Sequence, residues 1–264
     1  MSMEIFKSLF SPLTQLKGRT LTMVIIVEVA LALGLWQIFG GGGLIPTPSQ
    51  ILTAVIRIVT STYFADNLFS SLGLTLSGMG ISIVLALVIS YLSLLPVFAP
   101  VARFIVKCRY LTLTGLIFLF TLLTQDGHQL KLSLLIFGIV PFFVTSLLSI
   151  IESINTQEYD LCRTLRMNNW QTLFEVVIMG RLDQVVEVMR QNFAIAWMMI
   201  TMVEGLSMSE GGLGTLLIKS NKYIDLSTVF GILVIIFAMG ILFDYLLKNI
   251  RYWLFPYAKL QIRK

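Results

Sequence analysis

The chain has 264 residues, of which 56% are hydrophobic and 12% charged. A soluble domain carries roughly 25% charged residues, so this composition excludes a soluble globular fold and selects the multi-span helical membrane class. The net charge of +5 would point to nucleic acid in a soluble protein; in a membrane chain it is the signature of basic loops on one face, and no nucleic-acid partner is expected.

Residues 1–20 are mixed polar, with Lys7, Lys17 and Arg19, and read as an amphipathic cytoplasmic lead-in. Thr20 to Phe39 is the first span, interrupted by Glu28 and Gln37. Its apolar run exceeds the core of a secretion leader, so it reads as an uncleaved span. Gly40 to Gly43 ends that helix. Pro46 and Pro48 follow, with Ser49 as the expected N-cap of a short interfacial helix, Ser49 to Thr60, that carries Arg57. Leu68 to Leu95 is the second span, with Gly73, Gly78 and Gly80 available for close helix packing. The third span is expected from Phe104 to Thr124, after Pro96 and Pro100 and the basic residues Arg103, Lys107 and Arg109. A short loop with His128 leads to the fourth span, Leu132 to Ile151, which contains Gly138 and Pro141. The fifth runs from Gln184 to Met202. A glycine-rich loop and a short helix, Leu213 to Tyr223, precede the sixth, Leu226 to Leu247. The tail, 248–264, is basic and aromatic and reads as an interfacial anchor.

Six spans with the N-terminus inside give an all-α integral membrane fold with both termini cytoplasmic. On that topology 15 of the 19 Lys and Arg fall inside and four outside (Arg57, Lys131, Lys219, Lys222), as the positive-inside rule requires. No ten-residue alternation recurs, which argues against a β-barrel. Cys108 and Cys162 lie far apart in inner or membrane segments, so no disulfide is expected, and a single histidine offers no metal site.

The longest polar interval runs from Glu152 to Leu182, ESINTQEYDLCRTLRMNNWQTLFEVVIMGRL. Lying between two spans, it must sit in water at the inner face, as a handle that a soluble partner grips. Ser153 is the expected N-cap, with Thr156 and Gln157 opening the first turn. Tyr159, Cys162, Arg163 and Arg166 then fall on one side of a helix. Asn168 and Asn169 are suited to the left-handed conformation that ends it, and Trp170, Leu173, Phe174 and Val177 share a face of the next helix. A helix–turn–helix with an aromatic anchor suits docking into a groove on a soluble protein; an ordinary surface hairpin is the alternative.

This pattern resembles the EAA loop of ABC importer permeases, which reads EAA, three residues, Gly, then nine residues before I-x-L-P. Here the Glu position falls on Asp160, the two Ala on Leu161 and Cys162, the Gly on Arg166, and the closing run on Val176 to Met179. The branch it most resembles is the nitrate/sulfonate/taurine-type permease. Its "RTLG…WQ…VVLP" phrase corresponds to Arg163 to Arg166, Trp170-Gln171 and Val176 to Met179. Leu44 to Ser49 is similar to that branch's "LPSPS", and Glu204 with Gly211, Gly212 and Gly214 to its "EL…GLG-L" loop. The departures are Arg166 for the glycine and Met179 for the proline.

The resemblance implies a single permease domain over 1–264 in a bacterial inner membrane, multi-pass. It implies a second permease copy, two cytoplasmic ABC ATPase subunits carrying the ATP and Mg, and an external or periplasmic substrate-binding protein, with membrane lipid around the whole. The coupling loop is 152–184, and the coupling residues are Tyr159, Asp160, Leu161, Cys162, Arg163, Arg166, Asn168, Asn169 and Trp170. The chain lacks a G-x-x-x-x-G-K-[ST] loop, so no nucleotide or other cofactor is expected on it and the ATPase must be a separate polypeptide. Glu28 and Glu204 are the candidates for the translocation path, each with a packing role as the alternative. Asp183, Glu187 and Asp244 are expected to be solvated or paired with Arg181, Arg190 and Lys248, and His128 to be solvated. No nucleophile–base set is present, so the chain is not expected to be an enzyme. The rival readings are a permease-like scaffold or signalling subunit that no longer imports, and a secondary transporter or channel.

Overall fold

The computed structural model describes residues 18–40 and 45–256. The expected lead-in up to residue 17, residues 41–44 (the last three glycines of the run and Leu44) and the end of the tail lie outside them. Eleven α-helices form the described structure, with no strand among the described residues. They are α1 (Gly18–Phe39), α2 (Pro48–Val59), α3 (Thr62–Leu92), α4 (Ala99–Lys107), α5 (Leu113–Leu123), α6 (Gly127–Glu152), α7 (Thr156–Thr164), α8 (Asn169–Thr172), α9 (Leu182–Leu206), α10 (Leu213–Lys222) and α11 (Leu226–Leu254). α4 runs on as a 3-10 turn, Cys108–Tyr110. α8 runs on through a π-helical segment, Leu173–Ile178, and a 3-10 turn, Met179–Arg181.

Four helices, α1, α3, α6 and α11, are long and apolar enough to cross a membrane, or five spans if α4 and α5 form one. α9 has the length, 25 residues, but Asp183, Glu187, Arg190 and Glu204 lower its hydropathy. One face of it is covered by other helices, with Ala196, Trp197, Ile200 and Val203 buried, while Met198 and Met202 on the other face are exposed.

The expected third span is not one helix. α4 and α5 meet at 114°, because Leu111 and Thr112 adopt extended backbone with ψ near 132° and 131°. α5, at 11 residues, is about 16 Å long and crosses only half of a ~30 Å hydrocarbon core. Apolar composition signalled the span, but two extended residues turn it into an elbow. The start of α2 is also shifted. Thr47, not Ser49, is its N-cap; Pro48 takes the first helical position, where its missing N–H costs nothing, and the Gln50 side chain accepts from the Thr47 N–H at 3.0 Å.

The core is formed where α3, α6 and α9 pack together. Leu135, Ile139, Phe143 and Val144 of α6 meet Leu74, Met79 and Ala86 of α3 and Trp197 and Ile200 of α9. Close packing rather than a hydrophobic driving force holds helices together in lipid, and the small residues show where. A Cβ on Gly78 would come within 2.6 Å of the Leu135 side chain, and one on Gly138 within 2.9 Å of the Met199 sulfur. α2 seats Ile58 against Ile232 and Ile235 of α11. α6 and α9 run the length of this core, so their ends define two faces. One carries the handle, α7–α8, and the other the glycine loop and α10.

Candidate functional site

The handle begins two residues later than its sequence suggests. Ser153 closes α6, donating its hydroxyl to the Ile150 carbonyl at 2.7 Å. Asn155 is the N-cap of α7, accepting from the Gln157 N–H at 3.2 Å. α7 ends in a paired-bond turn: the Met167 N–H reaches the Cys162 carbonyl and the Arg166 N–H the Arg163 carbonyl, both at 3.0 Å. This geometry places one residue in the left-handed region, and that residue is Arg166, at φ 55°. Asn168 and Asn169, expected there, do other work. The Asn168 side chain caps α8, accepting from the Asn169 N–H at 2.6 Å, while Gln171 accepts from the Asn168 N–H at 2.9 Å. The chain thus places an arginine at the position where the EAA pattern has glycine, and keeps the glycine-type turn.

The expected common face of α7 is divided. Cys162 is buried at 5% exposure and packs beneath the handle. Tyr159 is half-buried, and that burial, reinforced by the Glu158 carboxylate beside it, raises its phenol above the ordinary value. Asp160, Leu161, Arg163, Leu165 and Arg166 face outward, with Arg163 paired to Asp160 at 3.2 Å. In the next segment Val177 is buried while Trp170 and Phe174 are 64% and 47% exposed. A π turn holds more residues than an α turn, so the α-periodic face read from the sequence splits at Leu173. The outcome is an exposed apolar set, Leu161, Leu165, Trp170 and Phe174, on an otherwise polar hairpin. Leu165 and Phe174 are not among the expected coupling residues, although Phe174 is on the face read with Trp170; their signal is large apolar side chains inside a polar stretch. Beside Trp170 and Phe174 lies a groove of about 650 Å³ floored by Arg166 and Gln171.

Ion pairs brace the handle internally and the bundle helices beside it. Arg181 bonds Glu158, rather than Asp183, which is buried at 5% exposure. Arg190 bridges Glu187, at 2.5 Å, and Asp244, and Arg251 adds a second contact to Glu187 at 2.6 Å. Lys248, expected as a partner of Asp244, instead lies over the Tyr252 ring at 6.0 Å. Half-buried charges paired this way on α9 and α11 hold the two helices in register at the handle end.

At the other end of α9, Glu204 is fully buried. Ser71 of α3 donates to it at 2.7 Å, and the Gly214 N–H at 2.8 Å. The Leu213 N–H donates in turn to Ser71 at 2.9 Å and the Gly212 N–H to Asn67 at 2.8 Å. Lys131, 1% exposed, donates to the Gly211 carbonyl at 3.2 Å. A Cβ on Gly212 would overlap the Glu204 carboxylate, and one on Gly214 the backbone of Thr201, so both glycines are required by close approach. Glu204 therefore bonds the glycine loop, the arrangement weighed against a path role in the sequence. His128 is exposed, as expected, and sits 3.0 Å from the likewise exposed Glu210. Ser71, Asn67 and Lys131 carried no local signal for this cluster, although a lysine at the end of an apolar helix is itself a flag. Glu28 lies midway along α1, exposed and apart from the other site residues. Among the described residues no group of three His, Cys, Asp or Glu is placed to hold a metal.

Residues 79–255, more than half of the chain, match the profile of the family described as binding-protein-dependent transport system inner membrane component. The chain belongs to this family. The match contains the handle, the elbow and the glycine loop, and leaves out α1, α2 and the first half of α3. Among solved structures, the permease fold is shared with a chain from a crystal structure of an amino acid ABC transporter with histidines. The two are 16% identical with a TM-score of 0.61, over 77% of this chain and 95% of that one. No curated protein matches the chain. It is thus a multi-pass membrane permease component of ABC transport, a family whose members associate with an ATPase and a substrate-binding protein.

Proposed function

We propose that this permease is the path-forming subunit of an ATP-driven importer, with six spans, both termini in the cytoplasm, and α7–α8 as the coupling element. The elbow α4–α5 serves as the third span and α9 as the fifth. Two copies form the path, two separate ATPase subunits grip the two handles, and an external binding protein delivers a small solute or anion of the nitrate/sulfonate/taurine type. ATP-driven closure of the ATPase pair pulls the handles together, and packed helices carry that rigid-body motion to the path.

The observation that supports this reading is the handle itself. Four large apolar side chains, Leu161, Leu165, Trp170 and Phe174, are exposed on a polar hairpin beyond the end of the spans, and aromatic anchors of this kind are what a partner groove takes up. The turn between the two short helices retains left-handed geometry at Arg166, so the departure from glycine changes the side chain offered and leaves the backbone path unchanged.

The test is a mild-detergent pull-down of the tagged chain with mass spectrometry and an ATPase assay on the eluate. A co-eluting soluble ATPase with hydrolytic activity supports the importer. Partners without ATPase activity move the weight to the scaffold reading.

A further inference from the structure

We infer that the elbow between α4 and α5 is a binding site for an anionic phospholipid. Three cations, Arg103, Lys107 and Arg109, lie within seven residues of each other, in a stretch with no Asp or Glu between Asp66 and Asp126. At the handle end Arg166 and Lys248 are in no ion pair among the described residues, and four basic side chains are matched to carboxylates: Arg163 to Asp160, Arg181 to Glu158, Arg190 to Glu187 and Asp244, and Arg251 to Glu187. The elbow cations are not. Among the described residues none of them pairs with a carboxylate. Arg103 donates only to its own helix, at the Ala99 carbonyl, 3.4 Å away. Arg109 stacks on Tyr110 and donates to its hydroxyl at 2.9 Å, leaving its Nε buried with no acceptor.

Behind α4 the 114° bend leaves an apolar cavity of about 360 Å³, walled by Leu85, Ile105, Cys108, Phe120, Phe137 and Pro141; the three cations are not among its lining residues, and Lys107 and Arg109 flank its wall residue Cys108 in the chain. α4 itself is amphipathic, with Val101 and Phe104 exposed on the side away from Ala102, which is buried. A helix of that pattern lies in the membrane interface. An unpaired basic cluster in the segment that walls an apolar cavity is complementary to one ligand chemistry: a phosphate-bearing head with an acyl chain beside it. The head takes Arg103, Lys107 and Arg109; the chain takes the cavity. On the orientation proposed above, the site opens to the cytoplasmic leaflet, where anionic lipid is concentrated.

The test does not depend on that orientation or on the importer reading. The purified chain is reconstituted in nanodiscs of phosphatidylcholine with phosphatidylglycerol, extracted into mild detergent, and its retained lipid identified by native mass spectrometry. The wild-type chain is expected to retain phosphatidylglycerol in preference to phosphatidylcholine. The triple variant Arg103→Gln, Lys107→Gln, Arg109→Gln should bind it about a hundredfold more weakly, roughly fivefold per cation. Cys108→Trp, which fills the cavity and leaves every charge in place, should lose the bound lipid too, with size-exclusion elution reporting that each variant is folded. Equal retention of both lipids, or undiminished retention by the folded variants, would overturn the proposal. So would displacement by inorganic phosphate alone, which would make the site an anion site without a lipid tail.

Discussion

The two ends of α9 solve one backbone problem in opposite surroundings. At the handle, α7 ends in a left-handed turn at Arg166; at the far face, α10 ends in the same bonded pattern at Ile224, φ 59°. There the Asp225 N–H reaches the Ser220 carbonyl at 3.1 Å and the Ile224 N–H the Asn221 carbonyl at 3.1 Å. Neither position holds glycine, so both turns carry a steric cost of about 1–2 kcal/mol, larger for the β-branched Ile224. The far turn is tied down by Arg57, Asp225 and Thr228, and the helix it ends is rooted on buried Glu204. The handle turn has only the exposed Arg163–Asp160 pair and its own backbone bonds. One face of the permease is bolted to the core by buried hydrogen bonds; the other projects apolar side chains into water.

The comparison can be broken most forcefully at Glu204. Replacing it with Ala strands the Ser71 hydroxyl and the Gly214 N–H in a dry site, at about 1–3 kcal/mol for each buried group left unpaired. A fall in the thermal midpoint in detergent is expected, with Glu204→Gln milder than Glu204→Ala; an unchanged midpoint for Glu204→Ala would mean that the loop does not depend on its carboxylate. At the handle, Trp170→Ala should leave that midpoint nearly unmoved while weakening association with the co-purifying ATPase by 2 kcal/mol or more, about 30-fold, as expected for an aromatic anchor. Equal yield of the complex would place Trp170 outside the docking face. Arg163→Glu should act in the same direction and less strongly, since it removes an exposed pair worth at most about 1 kcal/mol; the same co-purification measures it.

Glycine substitution sharpens the comparison at smaller amplitude. Ile224→Gly should raise the midpoint by the equivalent of about 1 kcal/mol, and Arg166→Gly by about half that, because relief of the left-handed strain is partly offset by greater freedom of the unfolded chain. A loss of stability in either variant would show that the side chain contributes more than the strain costs. The smallest effect is in pH. The Thr228 hydroxyl and N–H, with Arg57 behind them, hold the Asp225 carboxyl below its ordinary range. Its contribution is present in full above about pH 4 and is lost as pH falls through the lowered folded value. Asp225→Asn should therefore flatten the acid end of a stability–pH profile and leave the neutral region parallel to wild type.

Long apolar runs made α1, α3, α6 and α11 legible in the sequence, and a polar interval between two such runs made the handle legible. Direction was not. Hydropathy counts side chains, and the elbow is made by the backbone of Leu111 and Thr112, whose side chains are ordinary for a span. Within the handle, Asn168-Asn169 looked like the turn because asparagine tolerates the left-handed region, but its side chain is also a good cap, and capping α8 took it. The cluster around Glu204 joins residues as far apart as Ser71 and Gly214, and no periodic pattern links positions on different helices. The face read from Trp170 to Val177 failed for a simpler reason: the α-helical period does not apply inside a π turn.

α1 stands apart from all of this. Among the described residues none of its apolar window is buried against the rest of the structure, and its ties lie near its end, where Gln37 exchanges hydrogen bonds with Ser49 at 3.3 Å and Trp36 meets the Phe230 ring edge-on at 6.4 Å. During synthesis such a helix can enter the bilayer before any later span has been made, and wait there without a partner. The remaining bundle then assembles beside an anchor already in place, and the last span completes the tether when Phe230 arrives.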